Sequence, residues 1–202
     1  MIVQRIVNGK WKQNCYVFGA PGSDAIVLDP GSEPDRIVAA IEEHGFDPKA
    51  IILTHAHYDH VGAIADLQDK YGIETYMCKD DSRLLRQANM YSSIFGSSEK
   101  IRIPDVAHIL DDLSPAFKIA SFEIEWLATP GHTAGSVCFE INGYLFTGDT
   151  LMGSGAGRTD LPGGDDSEMD ASIDKISQLN GDLIVMPGHG SSFKLQEFTE
   201  TP

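Results

Sequence analysis

The run Thr54-His55-Ala56-His57-Tyr58-Asp59-His60 constrains this chain more than any other feature, because four ligand-type side chains fall within six positions. It directly follows the apolar stretch Ile51-Ile52-Leu53. A short apolar run of this kind reads as a buried strand over Ala50 to Thr54, so the histidines begin where a strand leaves the core. In extended backbone, residues two apart share a side. His55 and His57 can therefore offer imidazole nitrogens to one cation while Asp59 and His60 turn toward a second. A lone histidine at a strand end is ordinarily a hydrogen-bonded polar residue. Three histidines and an aspartate this close would repel on protonation and add little packing, whereas a divalent cation would gather them.

Further ligands are expected at other strand ends. Pro130-Gly131-His132-Thr133 follows the strand pattern Phe122 to Ala128, Gly148-Asp149-Thr150 follows Tyr144 to Phe146, and Pro187-Gly188-His189-Gly190 follows Leu183 to Met186. Each alone reads as a turn; together they repeat one arrangement. Five of the seven histidines fall at these positions. His44 reads as a helix-end residue, where a cation suits the dipole, and His108 as part of a loop after Pro104.

Elsewhere strands and helices mix in both halves. Tyr16 to Phe18 and Ala25 to Leu28 are strands joined by the turn Ala20-Pro21-Gly22-Ser23. Pro34 to His44, closed by Gly45, and Val61 to Tyr71, closed by Gly72, have helical periodicity. Thr75 to Met77 is a further strand, and Asp80 to Gly96 begins helical before losing its pattern among Ser92-Ser93 and Ser97-Ser98. Asn142-Gly143 predicts a hairpin between Val137 to Ile141 and Tyr144 to Phe146. Ser167 to Leu179 predicts a helix with Ser167 as its N-cap. The class expected is α/β, sheet layers covered by helices, as one domain over 1–202.

A net charge of −15 would oppose a phosphate backbone, which excludes nucleic acid as a natural partner. No apolar run is long enough to span a bilayer and MIVQRIVNGKWKQ lacks the apolar core of a secretory signal, so the expectation is a cytoplasmic protein without a membrane partner. Cys15, Cys78 and Cys138 lack the spacing of a disulfide framework and read as buried thiols. Oligomeric state leaves no mark in the sequence.

THAHYDH, GHT, GDT and PGHG, in this order and covering nearly the whole chain, resemble the metallo-β-lactamase superfamily. Asn14-Cys15-Tyr16, Asp29-Pro30-Gly31 and the stretch from Gly157 to Gly164 further resemble its glyoxalase II-like (hydroxyacylglutathione hydrolase-like) branch. The resemblance implies an αββα sandwich: two mixed sheets flanked by helices, with metals at one edge. It implies that His55, His57 and His132 bind one metal, that Asp59, His60 and His189 bind another, and that Asp149 bridges them. Two divalent ions are the implied cofactors, with zinc (Zn2+) first and Fe2+ or Mn2+ also compatible with these donors. Asp59 and Asp149 would be the catalytic carboxylates, Asp59 orienting a shared, acidified water that attacks a small-molecule thioester such as S-lactoylglutathione.

The longer glyoxalase II enzymes carry a helical C-terminal extension with basic residues for glutathione. Here the sequence stops soon after His189, with Lys194 its remaining basic residue, so the resemblance is to the compact form and glutathione recognition stays open. Tyr58 and Arg158 are possible substrate contacts. Tyr58 lines the pocket or packs beneath it; Arg158 reaches an anionic substrate group or, as the favoured reading, pairs with Asp160. Substrate choice is expected in loops near Arg158 and over Asp80 to Ser98. The rival in another reaction class is a mono-iron persulfide dioxygenase holding its metal with His55, His132 and Asp149. A lactonase or lactamase, or a non-enzymatic metal-binding module, ranks below these, since structural zinc sites close with four ligands rather than seven.

Overall fold

Apolar residues alternate along the strands, and this alternation sorts the chain into layers. The computed structural model describes residues 1–97, 100–110 and 114–199, so the Ser98 end of the Asp80-to-Ser98 stretch lies outside the described residues. The first sheet takes β1 (Ile2–Asn8), β2 (Gln13–Gly19), β3 (Asp24–Leu28), β4 (Asp47–Ile52), β5 (Glu74–Met77) and β6 (His108–Ile109) in sequence order. Its first three strands are antiparallel and the remaining ones run parallel to β3. The second sheet takes β7 (Ala116–Ile119), β8 (Phe122–Ala128), β9 (Val137–Ile141) and β10 (Tyr144–Gly148). A ribbon of β11 (Leu151–Met152) and β12 (Gly155–Ala156) follows, and β13 (Ile184–Pro187) and β14 (Phe193–Lys194) complete the sheet beside β10. Both sheets are mixed, as expected.

Phe18, Ile26, Leu28 and Ile52 point inward to meet Phe122, Phe139, Phe146 and Met186 between the sheets. Their neighbours Val17, Val27, Ile51 and Leu53 face outward onto α1 (Pro34–His44) and α3 (Ile64–Tyr71). On the far side, Cys138, Leu145 and Val185 pack against Ile176 of α6 (Asp166–Ser177) and Leu195 of α7 (Leu195–Thr199). The period-two pattern thus yields the αββα layering. Among the described residues, no helix is long and apolar enough to cross a membrane.

Four local expectations need correction. The helix predicted over Val61 to Tyr71 is two helices, α2 (Tyr58–Val61) and α3. They break at Gly62 and Ala63 because Ala63 N–H donates to Pro30 O at 3.0 Å, seating the Asp29-Pro30-Gly31 turn against the chain. α6 is capped by Asp165, not Ser167: the Asp165 carboxylate accepts from Glu168 N–H at 2.9 Å, and Ser167 donates its hydroxyl to the same oxygen. His108 lies in β6 rather than a loop, paired with Glu74 at 2.7 Å and stacked on Tyr76. The helical start at Asp80 resolves into α4 (Ser82–Arg86) and α5 (Ala88–Ile94), separated at Gln87.

β1 was not anticipated. It pairs with all of β2, from Ile2 opposite Gly19 to Asn8 opposite Gln13, but most of its side chains are only half-buried, so its alternation is weak. The Asn142-Gly143 turn has φ of 50° and 82°, the left-handed pair that a tight hairpin requires.

Phe139 is fully buried between the sheets, so Phe139→Ala should cost about 3–5 kcal/mol in equilibrium denaturation. A loss under about 1 kcal/mol would contradict a tightly packed intersheet core.

Candidate metal centre

Strand direction brings the predicted residues to one edge. β8 and β10 are both antiparallel to β9, and β13 is parallel to β10, so the C-terminal ends of these three strands share an edge of the second sheet. His132, Asp149 and His189 follow those ends. From the opposing sheet, β4 delivers His55 and His57, after which α2 supplies Asp59 and His60. His57 is extended at φ −63° and ψ 149°, just ahead of α2.

The ligand atoms of His55, His57 and His132 lie within 4.8 Å of one another, and so do those of Asp59, His60 and His189. Asp149 stands between the two groups, with its carboxylate oxygens 3.6 Å from His60 Nε2 and 3.5 Å from Nε2 of both His132 and His189. A Cβ at position 188 would collide with the Asp149 carboxylate and come within 2.8 Å of His60 Cε1, so only glycine leaves room for this approach.

Outer hydrogen bonds set which imidazole nitrogens are bare. His132 Nδ1 donates to Arg158 O at 2.7 Å, His189 Nδ1 to Trp11 O at 3.0 Å, and His60 Nδ1 to Asp29 Oδ2 at 3.1 Å. Each turns Nε2 toward the centre, where His132 Nε2 lies 2.8 Å from His57 Nδ1. Thr54 donates its hydroxyl to Asp29 at 2.6 Å, so Thr54 Oγ1 accepts from His55 Nδ1 at 3.1 Å. Nε2 of His55, His57 and His60 and Oδ1 of Asp149 are buried without a hydrogen-bond partner among the described residues. Unpaired buried polar atoms are costly, and a divalent cation would satisfy several of them at once. The donor set, neutral imidazoles and carboxylates, fits such an ion.

The electrostatics divide the site. Burial, then the neighbouring imidazoles, push His55 well below its ordinary pKa and push His57 down to about 3. Both stay neutral, the form that binds metal. Burial also opposes charge on His60, but Asp149, the hydrogen bond it donates to Asp29, and Asp59 outweigh it and raise the ring to about 9. His189 is raised in the same way, burial being overcome by Asp59 and Asp149. The carboxylates thus create a field that favours positive charge at the second group. Burial would raise Asp59, yet its hydrogen bond with His189 and the nearby His60 hold it below the usual carboxylate range.

The ligand atoms of Asp29, His55 and His60 also lie within 4.8 Å of one another. Asp29 is already engaged by Thr54 N–H at 2.8 Å, the Thr54 hydroxyl and His60 Nδ1, so it orients ligands rather than joining them. The motif that contains it was legible in the sequence, but its role was not. Its φ of 47°, unusual for a residue other than glycine, belongs to the turn that aims it inward.

A cleft of about 280 Å³ opens over the centre, walled by Trp11, Leu84, Tyr91, Phe95, Met152 and Leu161. Both uses foreseen for Tyr58 occur together: it lines the cleft, and its ring stacks on Phe95 at 5.9 Å. Arg158 borders the cleft too, but its fork is held by both oxygens of Asp160, each at 2.7 Å.

Residues 8–189 match the family model described as Metallo-beta-lactamase superfamily. The chain is 34% identical to the protein named hydroxyacylglutathione hydrolase GloC of Haemophilus influenzae over 189 residues, 90% of this chain and 87% of the relative. Among solved structures it is similar to BLEG-1 B3 metallo-beta-lactamase, with a TM-score of 0.92 and 31% identity over 99% of this chain and 97% of that one. It is also similar to TTHA1623 in a di-iron-bound form, with a TM-score of 0.88 and 31% identity over 98% of each chain. The family match over most of the chain, with two ligand groups at the shared strand edge, makes this protein a member of the metallo-beta-lactamase superfamily.

Proposed function

We propose that the chain is a metal-dependent hydrolase of the glyoxalase II type, cleaving S-lactoylglutathione or a related small thioester. The observation that carries this reading is the pair of three-residue ligand groups joined by Asp149 beneath an apolar cleft. His55, His57 and His132 would hold one divalent ion, and Asp59, His60 and His189 the other, with Asp149 shared. Zinc is the first choice, and Fe2+ or Mn2+ suits the same donors. When bound, such ions polarise a carbonyl oxygen and lower the pKa of a shared water toward about 7.

The chain's own groups do the rest. Asp59, ionised at any physiological pH, can accept a hydrogen bond from the attacking water and aim its lone pair at the carbonyl carbon. Trp11, Leu84, Tyr91 and Phe95 seat the substrate and keep bulk water from the reacting carbonyl. A thiolate, whose parent thiol has a pKa of about 8.5, departs without a dedicated protein acid, so none is required here.

At about 280 Å³ the cleft sits at the lower edge of small-molecule sites, which run from about 300 Å³ upward. It fits a short acyl group and the thioester better than a whole glutathione conjugate, whose peptide arm would project past the rim. With Arg158 tied to Asp160, acyl-group fit matters more here than charge on the thiol. The likeness to a protein named hydroxyacylglutathione hydrolase supports a thioester substrate.

A panel of acyl thioesters assayed without oxygen, with metal content measured on the same sample, should show cleavage of short-chain members including S-lactoylglutathione. Absence of thioester cleavage, with one iron per chain and oxygen uptake on glutathione persulfide, would replace the hydrolase by the dioxygenase. Asp149→Ala should lower kcat/KM by more than about 100-fold, the upper end for losing a mere outer-sphere partner, and should reduce bound metal. Unchanged turnover would defeat the assignment.

A further inference from the structure

We infer that Asp81 is a positioning residue of the metal centre: its buried carboxylate clamps the His55-Ala56-His57 segment to the turn that carries His132. The inference rests on the metal-centre reading above. Asp81 falls within the stretch from which the sequence suggests substrate contacts, and its Asp80-Asp81-Ser82 context resembles a solvated helix start. The structure instead buries it to 1% exposure.

Its place follows from the sheet. β5 runs parallel to β4, with Tyr76 opposite Ile52, so both strands leave the core at the same edge. β4 continues into the histidine segment, and β5 continues through Cys78 into the short 3-10 turn Lys79–Asp81. Asp81 Oδ2 accepts from Ala56 N–H at 2.8 Å, the backbone amide lying between two of the candidate ligands. The same oxygen accepts from the hydroxyl of Thr133, the residue after His132, at 2.9 Å. Oδ1 accepts from Gly135 N–H at 2.9 Å.

The fit is close on both sides. A Cβ at Gly135 would lie 2.7 Å from Asp81 Cγ, so the turn can approach the carboxylate only with glycine there. Thr133 Oγ1 and Ser136 Oγ are 2.8 Å apart, so Ser136 braces the hydroxyl that Asp81 engages. Burial pushes the Asp81 carboxyl up from its ordinary value, and the three donors act against that, favouring the anion. His55, His57 and His132 come from two different sheets. Through these contacts a single side chain fixes the distance between their segments, and it adds negative charge behind the group that must receive a cation.

A plain structural brace would also make these bonds, so the test must read the metal site itself. Zinc affinity would be measured by competition with a chromophoric chelator, and the cobalt(II)-substituted protein by its visible absorption. Each would be recorded beside the melting temperature of the metal-free chain. Asp81→Asn keeps the size but turns an amide N–H toward Gly135 N–H. It should weaken zinc binding about 10–100-fold and alter the cobalt bands. Leu145→Ala, on the outer face of the second sheet, serves as the control for lost stability and should leave both readouts in place. Thr133→Val removes one of the three bonds to Asp81, together with the Ser136 contact, and should give a smaller loss in the same direction, which keeps the inference testable if Asp81→Asn fails to fold. Zinc affinity and cobalt bands in the Asp81 and Thr133 variants that match the Leu145→Ala control would overturn the positioning role. Failure of the wild-type chain to bind zinc would overturn the metal-centre reading with it, and the two failures are distinguishable on the same samples.

Discussion

Buried lone pairs are the constraint around which this protein is organised. His55, His57, His60 and His132 are each no more than 7% exposed, and they crowd with Asp149 where two sheets meet. Without a cation, such a cluster is a liability: imidazole nitrogens and carboxylate oxygens face one another with few protons to share. The fold tolerates it because strong packing lies behind it. Intersheet phenylalanines and outer helices hold the four delivering strands, and the ligands extend beyond the strand ends, where they take little part in packing.

Around that cluster, each outer hydrogen bond has a directional task. Carbonyls of Trp11 and Arg158, and the carboxylate of Asp29, take the Nδ1 protons of His189, His132 and His60 and so point their Nε2 atoms inward. Asp29 and Asp81 work in parallel as buried carboxyl groups, one behind the second ligand group and one behind the first. Substrate access is shaped separately, by apolar side chains from the β1–β2 turn and from α4 and α5. Specificity can therefore change through the cleft walls while the chemistry at its floor is kept.

The seven candidate ligands were legible because ligand chemistry overrides packing logic: histidines in alternate positions at the end of an apolar strand serve no core. The layers were legible too, since Tyr16 to Phe18, Ala25 to Leu28 and Val137 to Ile141 carry clean apolar runs. What escaped were features whose meaning depends on burial. Asp81 looks like any acidic residue near a helix start until β5 is seen to leave the sheet beside β4. β1 escaped because one side of it is half-exposed, and His108 because a two-residue strand leaves no periodicity. Ser167 was a reasonable cap, but Asp165 sits two residues earlier with a stronger acceptor.

The central claim is that one floor holds two ions in two different ligand groups. Calorimetric titration of the metal-free protein with zinc, compared with the same titration of His60→Ala, tests it most directly. Two equivalents bound by the wild-type chain and one by His60→Ala is the predicted result. A single equivalent in the wild-type chain, or two retained by His60→Ala, would contradict it.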